Sequence, residues 1–246
     1  MESIKRQLNH KTVRKFKDKH IPEEILKTLF EVANRTATST GMQQYSIIRI
    51  KSEENRELLS KIGNQDYIKD CPELLVFVVD IYRNKKIAEE KGSDKKTFKD
   101  MDRFFQGFTD ACLAAQNMTN AIESLGMGCV YFGSILNDTE KLCDILKLPK
   151  YTFPVIGLGF GYPDQEPQLK PRMDINLKVF EDEYKIFPEY LKEIESYDRE
   201  MTNYYDTRSD GRRSDSFSNQ VVKRFEDEME TRKNVMKIIK KQGFNI

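Results

Sequence analysis

From Met101 to Leu125, apolar side chains recur at spacings of three and four (Met101, Phe104, Phe105, Phe108, Ala111, Cys112, Ala115, Met118, Ile122, Leu125), and Gly126 follows as a stop signal. A helix of roughly 25 to 28 residues is about 40 Å long, enough to cross a whole domain. Its apolar surface is too wide for a single neighbour, so the other elements must pack around it. Four short β-branched and aromatic runs bounded by breakers read as strands, at 45–50, 74–81, 129–135 and 153–161. Two precede the helix and two follow it, which predicts one modest sheet interleaved with helices. A second amphipathic helix starts at Pro22, with Ile25, Leu26, Leu29, Phe30 and Ala33 on one face and Glu23 and Glu24 at the positive end of its dipole. Asn137, with Glu140 three residues later, predicts the cap of a helix carrying Leu142, Ile145 and Leu146.

Charged residues make up 33% of the 246 and hydrophobic ones 38%, a wetter balance than an average globular chain has. The polar excess lies late. After Pro171 the pattern is a polar connection, a helix over about 188–205, a charged loop, and a helix over about 218–242, which together look like an appended arm. Lysine and arginine total 41 against 40 acids, so no global field recruits nucleic acid or an anionic membrane. No apolar run approaches the ~18 residues of a spanning helix, and the first residues lack the apolar centre of a signal peptide, which predicts a cytoplasmic protein.

Only His10 and His20 occur, and Cys71, Cys112, Cys129 and Cys143 are widely spaced. Zinc sites and histidine triads therefore lack ligands or bases, and the thiols read as reduced and buried. The glycines of GLGFGYP (157–163) follow a G-x-G-x-G spacing with Pro163 where a helix would have to continue. A phosphate-binding helix N-terminus is excluded, and the glycines read as close backbone approach in a strand.

Four polar clusters remain. NHKTVRKF (9–16) puts His10 and Arg14 four apart, on one face if the segment is a helical turn, beside Lys11 and Lys15; this suits a phosphomonoester. TATSTGMQQYS (36–46) is a hydroxyl-rich loop able to donate to an anion, and LKPR (169–172) sets two cations around a proline. DTRSDGRRSDSF (206–217) balances three arginines with three aspartates, which suits one compact anion better than a polyanion. Each cluster taken singly is also compatible with an ordinary solvated surface.

Their order along the chain, with GNQDYI, AAQNMTNAIESLGMGCVYFGSILND, LPKYTFPVIGLGFGYP and YYDTRSDGRRSDSFS, resembles the FMN-dependent nitroreductase superfamily, and within it the NADPH-dependent flavin reductase and oxygen-insensitive nitroreductase subgroup. The resemblance runs nearly end to end. It implies an α+β fold with a central, mixed but mostly antiparallel sheet flanked by helices. Residues 1–172 would form an FMN-binding core and 173–246 an extended helical arm packed on the partner subunit of a homodimer. It implies FMN contacts from His10, Lys11, Arg14, Ser39, Gln65, Lys170 and Arg172, with the backbone of Tyr131, Phe132, Gly133 and Ser134 along the flavin ring. Arg208 and Arg212, with Arg213 behind them, would grip the 2′-phosphate of NADPH, while Gly41 and Arg232 would face the electron acceptor. Aspartates 206, 210 and 215 would hold the arginines apart in the empty loop.

The implied reaction is ping-pong hydride transfer from NADPH through FMN N5 to a nitroaromatic, quinone or free flavin, with no acid, base or metal supplied by the protein. Two alternatives use the same residues: a reductase supplying reduced FMN or reducing disulfides or peroxide, and a non-enzymatic flavin-binding sensor. The chain departs from its relatives at Lys11 and Thr12, commonly Arg and Ser, at Gly41, often a bulky aromatic, and at Ser134, which replaces a second glycine.

Overall fold

A computed structural model describes residues 2–206 and 215–246. Four strands, β1 (Tyr45–Arg49), β2 (Glu73–Asp80), β3 (Gly128–Phe132) and β4 (Thr152–Gly161), form one sheet in the order β1-β2-β4-β3. All three ladders are antiparallel, and the parallel element of the expected mixed sheet is confined to an isolated bridge between Thr12 and Cys129. The helices of the first half are α1 (Glu2–Leu8), α2 (Glu23–Asn34), α3 (Glu53–Gly63), α4 (Tyr67–Asp70), α5 (Tyr82–Glu90) and α6 (Met101–Ser124). They are followed by α7 (Thr139–Ile145), α8 (Tyr190–Glu193), α9 (Glu195–Asp206), α10 (Phe217–Glu226), α11 (Glu230–Lys233) and α12 (Val235–Lys241).

The long helix is α6. It buries Phe104, Ala111, Ala114, Ala115, Met118 and Ile122 and stops where Gly126 takes a φ of +73°. That left-handed conformation is cheap only for glycine. The other flank of α6 leaves Phe105 61% and Leu113 48% exposed.

Side chains of β2 alternate between two cores, as a strand buried on both faces requires. Leu75, Phe77 and Val79 join Leu26, Leu29 and the α6 residues on one face, while Leu74, Val76 and Val78 join Leu59, Ile68 and Leu142 on the other. The glycines of β4 allow close approach. A Cβ at Gly159 would lie 2.6 Å from Phe132 Cε2 and 2.9 Å from Cys71 Sγ, so the strand-glycine reading of GLGFGYP holds.

Three local expectations shift. β3 ends at Phe132 and the chain turns into a 3-10 segment from Gly133 to Asp138, shortening the expected strand. The cap of α7 is Asp138, whose carboxylate accepts from Lys141 N at 3.1 Å, one residue beyond Asn137. The helix expected over 218–242 is broken into α10, α11 and α12. By compactness the chain divides into one unit of Met1–Pro167 with Met229–Ile246 and a second unit of Gln168–Glu228. Residues 229–246 sit in the first unit because Ile238, Ile239 and Phe244 are buried in its core, Phe244 edge-on to Phe104 with ring centroids 5.1 Å apart.

Candidate functional site

α1 ends at Leu8, and the following residues are extended rather than helical; Val13 N donates to Cys129 O at 2.9 Å. His10 and Arg14 are therefore not on a helical turn. Residues four apart on an extended chain also share a side, so the pair still has a common face. Acids missed in the sequence meet most of these cations: His10 Nδ1 lies 2.5 Å from Glu123 Oε1, Lys11 Nζ 2.5 Å from Glu166, and Lys15 Nζ 3.0 Å from Asp164. The bridge of Phe16 with Pro163 sets this register, and Arg14 N donates to Gln165 Oε1 at 3.2 Å. The guanidinium of Arg14, half-buried, has no hydrogen-bond or ion-pair partner among the described residues. The signal for the acid partners was present in DQE (164–166), which answers the lysines at alternate positions.

A second group forms where β3 ends. Ser134 Oγ donates to Gln65 Oε1 at 2.8 Å, joining two expected flavin contacts that are distant in sequence. Arg232 reaches the same turn, Nε donating to Asn137 Oδ1 at 3.0 Å and a terminal nitrogen to the Gly133 carbonyl at 2.5 Å. Arg232 is thus committed to holding this turn. A Cβ at exposed Gly133 would meet nothing within 4 Å, so the space beside its backbone is open. Phe132 is 1% exposed and fills the core beside Tyr67, so its side chain is closed to a ligand. The Tyr131 hydroxyl pairs with Thr119 Oγ1 at 2.7 Å, and burial pushes its phenol up to about 12.

Ser39 lies in a third place. Its N–H donates to the fully buried Asp110 of α6 at 2.7 Å, and Gln44 N donates to the other carboxylate oxygen at 3.2 Å. Between them Thr40, Gly41 and Gln43 have φ of +50°, +69° and +51°, an uncommon run that needs external restraint. Gly41 is exposed with open space around it.

The helix α6 also measures the gap between these groups. Asp110 and Glu123 are thirteen residues apart, about 20 Å along the axis and about 140° around it at 3.6 residues per turn. Both side chains tilt the same way along the helix, so the separation is not recovered. Ser39 therefore stands near the middle of α6 and His10 near its C-terminal end, on different sides of the helix and too far apart to grip one phosphate within a single chain.

The remaining expected residues belong to the second unit or lie beyond description. The Arg172 guanidinium donates to the carbonyls of Lys170 at 2.9 Å and Pro171 at 3.1 Å. Arg208, Arg212, Arg213 and Asp210 are outside the described residues, as is the side chain of Asp206. Asp215 pairs with Lys223 at 2.6 Å. All four cysteines are free, and burial pushes Cys71, Cys129 and Cys143 up to about 12. Among the described residues no helix is long and apolar enough to cross a membrane.

An open antiparallel sheet with the long helix α6 packed on one face, flanked by shorter helices, defines the class: an α+β protein. The chain belongs to the nitroreductase family. The family itself matches residues 8–63 and 60–162, and the nitroreductase family C-terminal domain matches 170–246. A relative named NADPH-dependent oxidoreductase, from Staphylococcus saprophyticus, is 38% identical over 218 residues, 87% of each chain. One named FMN reductase (NADPH), from Bacillus subtilis, is 34% identical over 241 residues, 97% of this chain and 96% of its own. The solved structure of NfrA1 nitroreductase from B. subtilis superposes with a TM-score of 0.92 at 32% identity, covering 99% of both chains.

Proposed function

We propose that the protein is an NADPH-dependent oxidoreductase that holds FMN and passes electrons to a nitroaromatic, quinone or free flavin. The observation that carries the reading is the half-buried Arg14 guanidinium, left without a partner beside His10 and Lys11 in a family whose B. subtilis relative is named for FMN reduction. A phosphate dianion is the ligand such a set of donors suits, by charge-assisted hydrogen bonds. The chemistry of the second group also fits FMN: an amide at Gln65, a turn held by Arg232, and open space beside Gly133 for a flat ring. FMN, when bound, supplies the hydride chemistry. The chain's own residues bind and orient, and the Tyr131 phenol, held protonated, is no base at neutral pH.

The working unit is a homodimer. Ser39 and the His10–Arg14 segment are separated by about 20 Å along α6, so one flavin uses the Ser39 loop of one copy and the cations of the other. The exposed Phe105 and Leu113 supply an apolar flank for such contact. The arginine loop with Arg208 and Arg212 would read the 2′-phosphate of NADPH, and Lys170 and Arg172 would complete the cofactor's surroundings.

Purified protein is expected to be yellow, dimeric by light scattering, and to bleach within seconds when NADPH is added without oxygen. Arg208→Ala is expected to raise KM for NADPH by about 1–3 kcal/mol equivalent, the loss of a charged hydrogen bond, with FMN content unchanged. Protein that stays colourless after reconstitution with FMN would falsify the reading; equal effects of the substitution on NADH and NADPH would remove the loop's role.

A further inference from the structure

We propose that Glu123 is a positioning residue that makes His10 a proton-linked anion donor: the Glu123–His10 pair takes up a proton from solvent when a phosphate binds at the open nitrogen of the imidazole. The inference rests on the FMN reading above and deepens it.

The contact joins two elements distant in sequence. His10 Nδ1, just after α1, lies 2.5 Å from Glu123 Oε1 in the last turn of α6, where the carboxylate is only 12% exposed. Around the pair, Arg6 of α1 donates to the Glu123 backbone carbonyl at 3.1 Å, and Cys129 Sγ of β3 stands 4.0 Å from Glu123 Oε1. That thiol, pushed up to about 12 by burial, is uncharged at neutral pH. On the histidine's own segment Lys11 is paired with Glu166, while the Arg14 guanidinium has no partner among the described residues. The other imidazole nitrogen, Nε2, also has no partner among the described residues, and no buried side-chain nitrogen or oxygen among them lacks one, so Nε2 is open to solvent.

Polarity follows from the acceptor. An ionised carboxylate can only accept, so it holds the single proton of a neutral imidazole on Nδ1 and leaves Nε2 with a lone pair. A lone pair repels a phosphate oxygen. Nε2 donates only once the pair holds a second proton, and the carboxylate together with the negative end of the α6 dipole attracts the positive charge which that proton brings. Whether the proton between Nδ1 and Oε1 sits on nitrogen or oxygen does not alter the count, since the pair titrates as a unit.

Binding and protonation are therefore linked. An anion at Nε2 favours the doubly protonated pair, so a proton is taken up as the anion binds, and affinity falls as pH rises through the range in which a histidine changes charge. A glutamine at 123 would break the link. Its carboxamide can donate to Nδ1 as well as accept from it, so a neutral imidazole could then present an N–H at Nε2 with no proton taken up.

The test titrates the full-length chain, freed of flavin, with FMN at pH 8 in buffers of different ionisation enthalpy, so that calorimetry counts the protons taken up. FMN supplies none itself, because a phosphate monoester is a dianion well above its second pKa of about 6. Wild type is expected to take up about half a proton or more per FMN, and its affinity, read by flavin fluorescence, to weaken about fivefold from pH 7 to 8.5. Glu123→Gln is expected to bind FMN with almost no uptake and a flat profile, whereas a merely structural glutamate would change affinity without changing the proton count. His10→Gln, whose carboxamide donates without titrating, should also bind without uptake, and it carries the test should Glu123→Gln fail to fold. Wild-type protein that binds FMN without proton uptake, or either variant with uptake undiminished, overturns the inference alone. Wild-type protein that binds no FMN overturns the reading beneath it, and the inference with it.

Discussion

Asp110 is the group whose removal tests most directly how this fold holds the loop from Ser39 to Gln44. It is fully buried, has no cation among its hydrogen-bond partners in the described residues, and accepts from Ser39 N at 2.7 Å and Gln44 N at 3.2 Å. Asp110→Asn keeps shape and, as the two residues have similar helix propensities, leaves α6 intrinsically unchanged. It replaces one acceptor oxygen by an amide NH2 group that faces a backbone N–H. Gln44 is 2% exposed, so water cannot restore its partner, and an unmet buried donor costs about 1–3 kcal/mol. The Ser39 bond is weakened by loss of charge, about 1 kcal/mol more. A loss of about 2–4 kcal/mol is expected. The chain has no tryptophan, so urea unfolding is best followed by far-UV circular dichroism, the loss read as a shift in midpoint at constant slope. A loss under about 0.5 kcal/mol would show that the carboxylate is not what restrains the left-handed run at Thr40, Gly41 and Gln43.

Two further outcomes follow from packing and burial. Gly159→Ala is expected to cost about 1–3 kcal/mol by overpacking, since its methyl would stand 2.6 Å from Phe132 and 2.9 Å from Cys71; a thermal midpoint unchanged from wild type would contradict the close approach of β3 and β4. Burial disfavours the thiolate and pushes Cys71, Cys129 and Cys143 up to about 12 in the folded protein, well above the ordinary thiol range of about 8.5 to 9. The native state then holds more protons than the unfolded chain between those values. The thiols' contribution is complete below pH 9 and is lost as pH rises toward 12, by up to about 1.4 kcal/mol per pH unit for each fully buried thiol. Stability measured from pH 8 to 11 should bend downward above 9, less steeply in Cys129→Ala, and a flat wild-type profile would refute the assignment.

The parts of the fold legible in the sequence are those where one physical signal dominates. The periodicity of α6, the β-branched runs and the strand glycines each decide their element, because burial on one helix face or both sheet faces leaves no other economical arrangement. The short helices α4 and α5 carry no such signal. α5 buries nothing, whereas α3 was readable from the Ser52 cap, whose oxygen accepts from Asn55 N at 3.3 Å, and from Leu58, Leu59 and Ile62 at helical spacing. The break of the late helix at Asp227 and Asn234 was also hidden, since Ile238, Ile239 and Phe244 turn into the core for tertiary reasons that local pattern does not encode.

The candidate site was legible in its residues and illegible in its distances. His10, Arg14, Gln65, Ser134 and Arg232 were each singled out by type and order, yet convergence of Ser39 with the N-terminal cations was an assumption that a linear text cannot test. The helix supplies the measurement. Asp110 takes the Ser39 loop and Glu123 takes His10, each by a short hydrogen bond, and the residues between fix about 20 Å of separation. Neither carboxylate stood out beforehand, because an acid within an apolar helix reads as its polar stripe until its partner is known. The pairs explain why α6 tolerates a buried Asp at mid-length: its carboxylate accepts from the backbone of Ser39 and Gln44 and so fixes the loop between them.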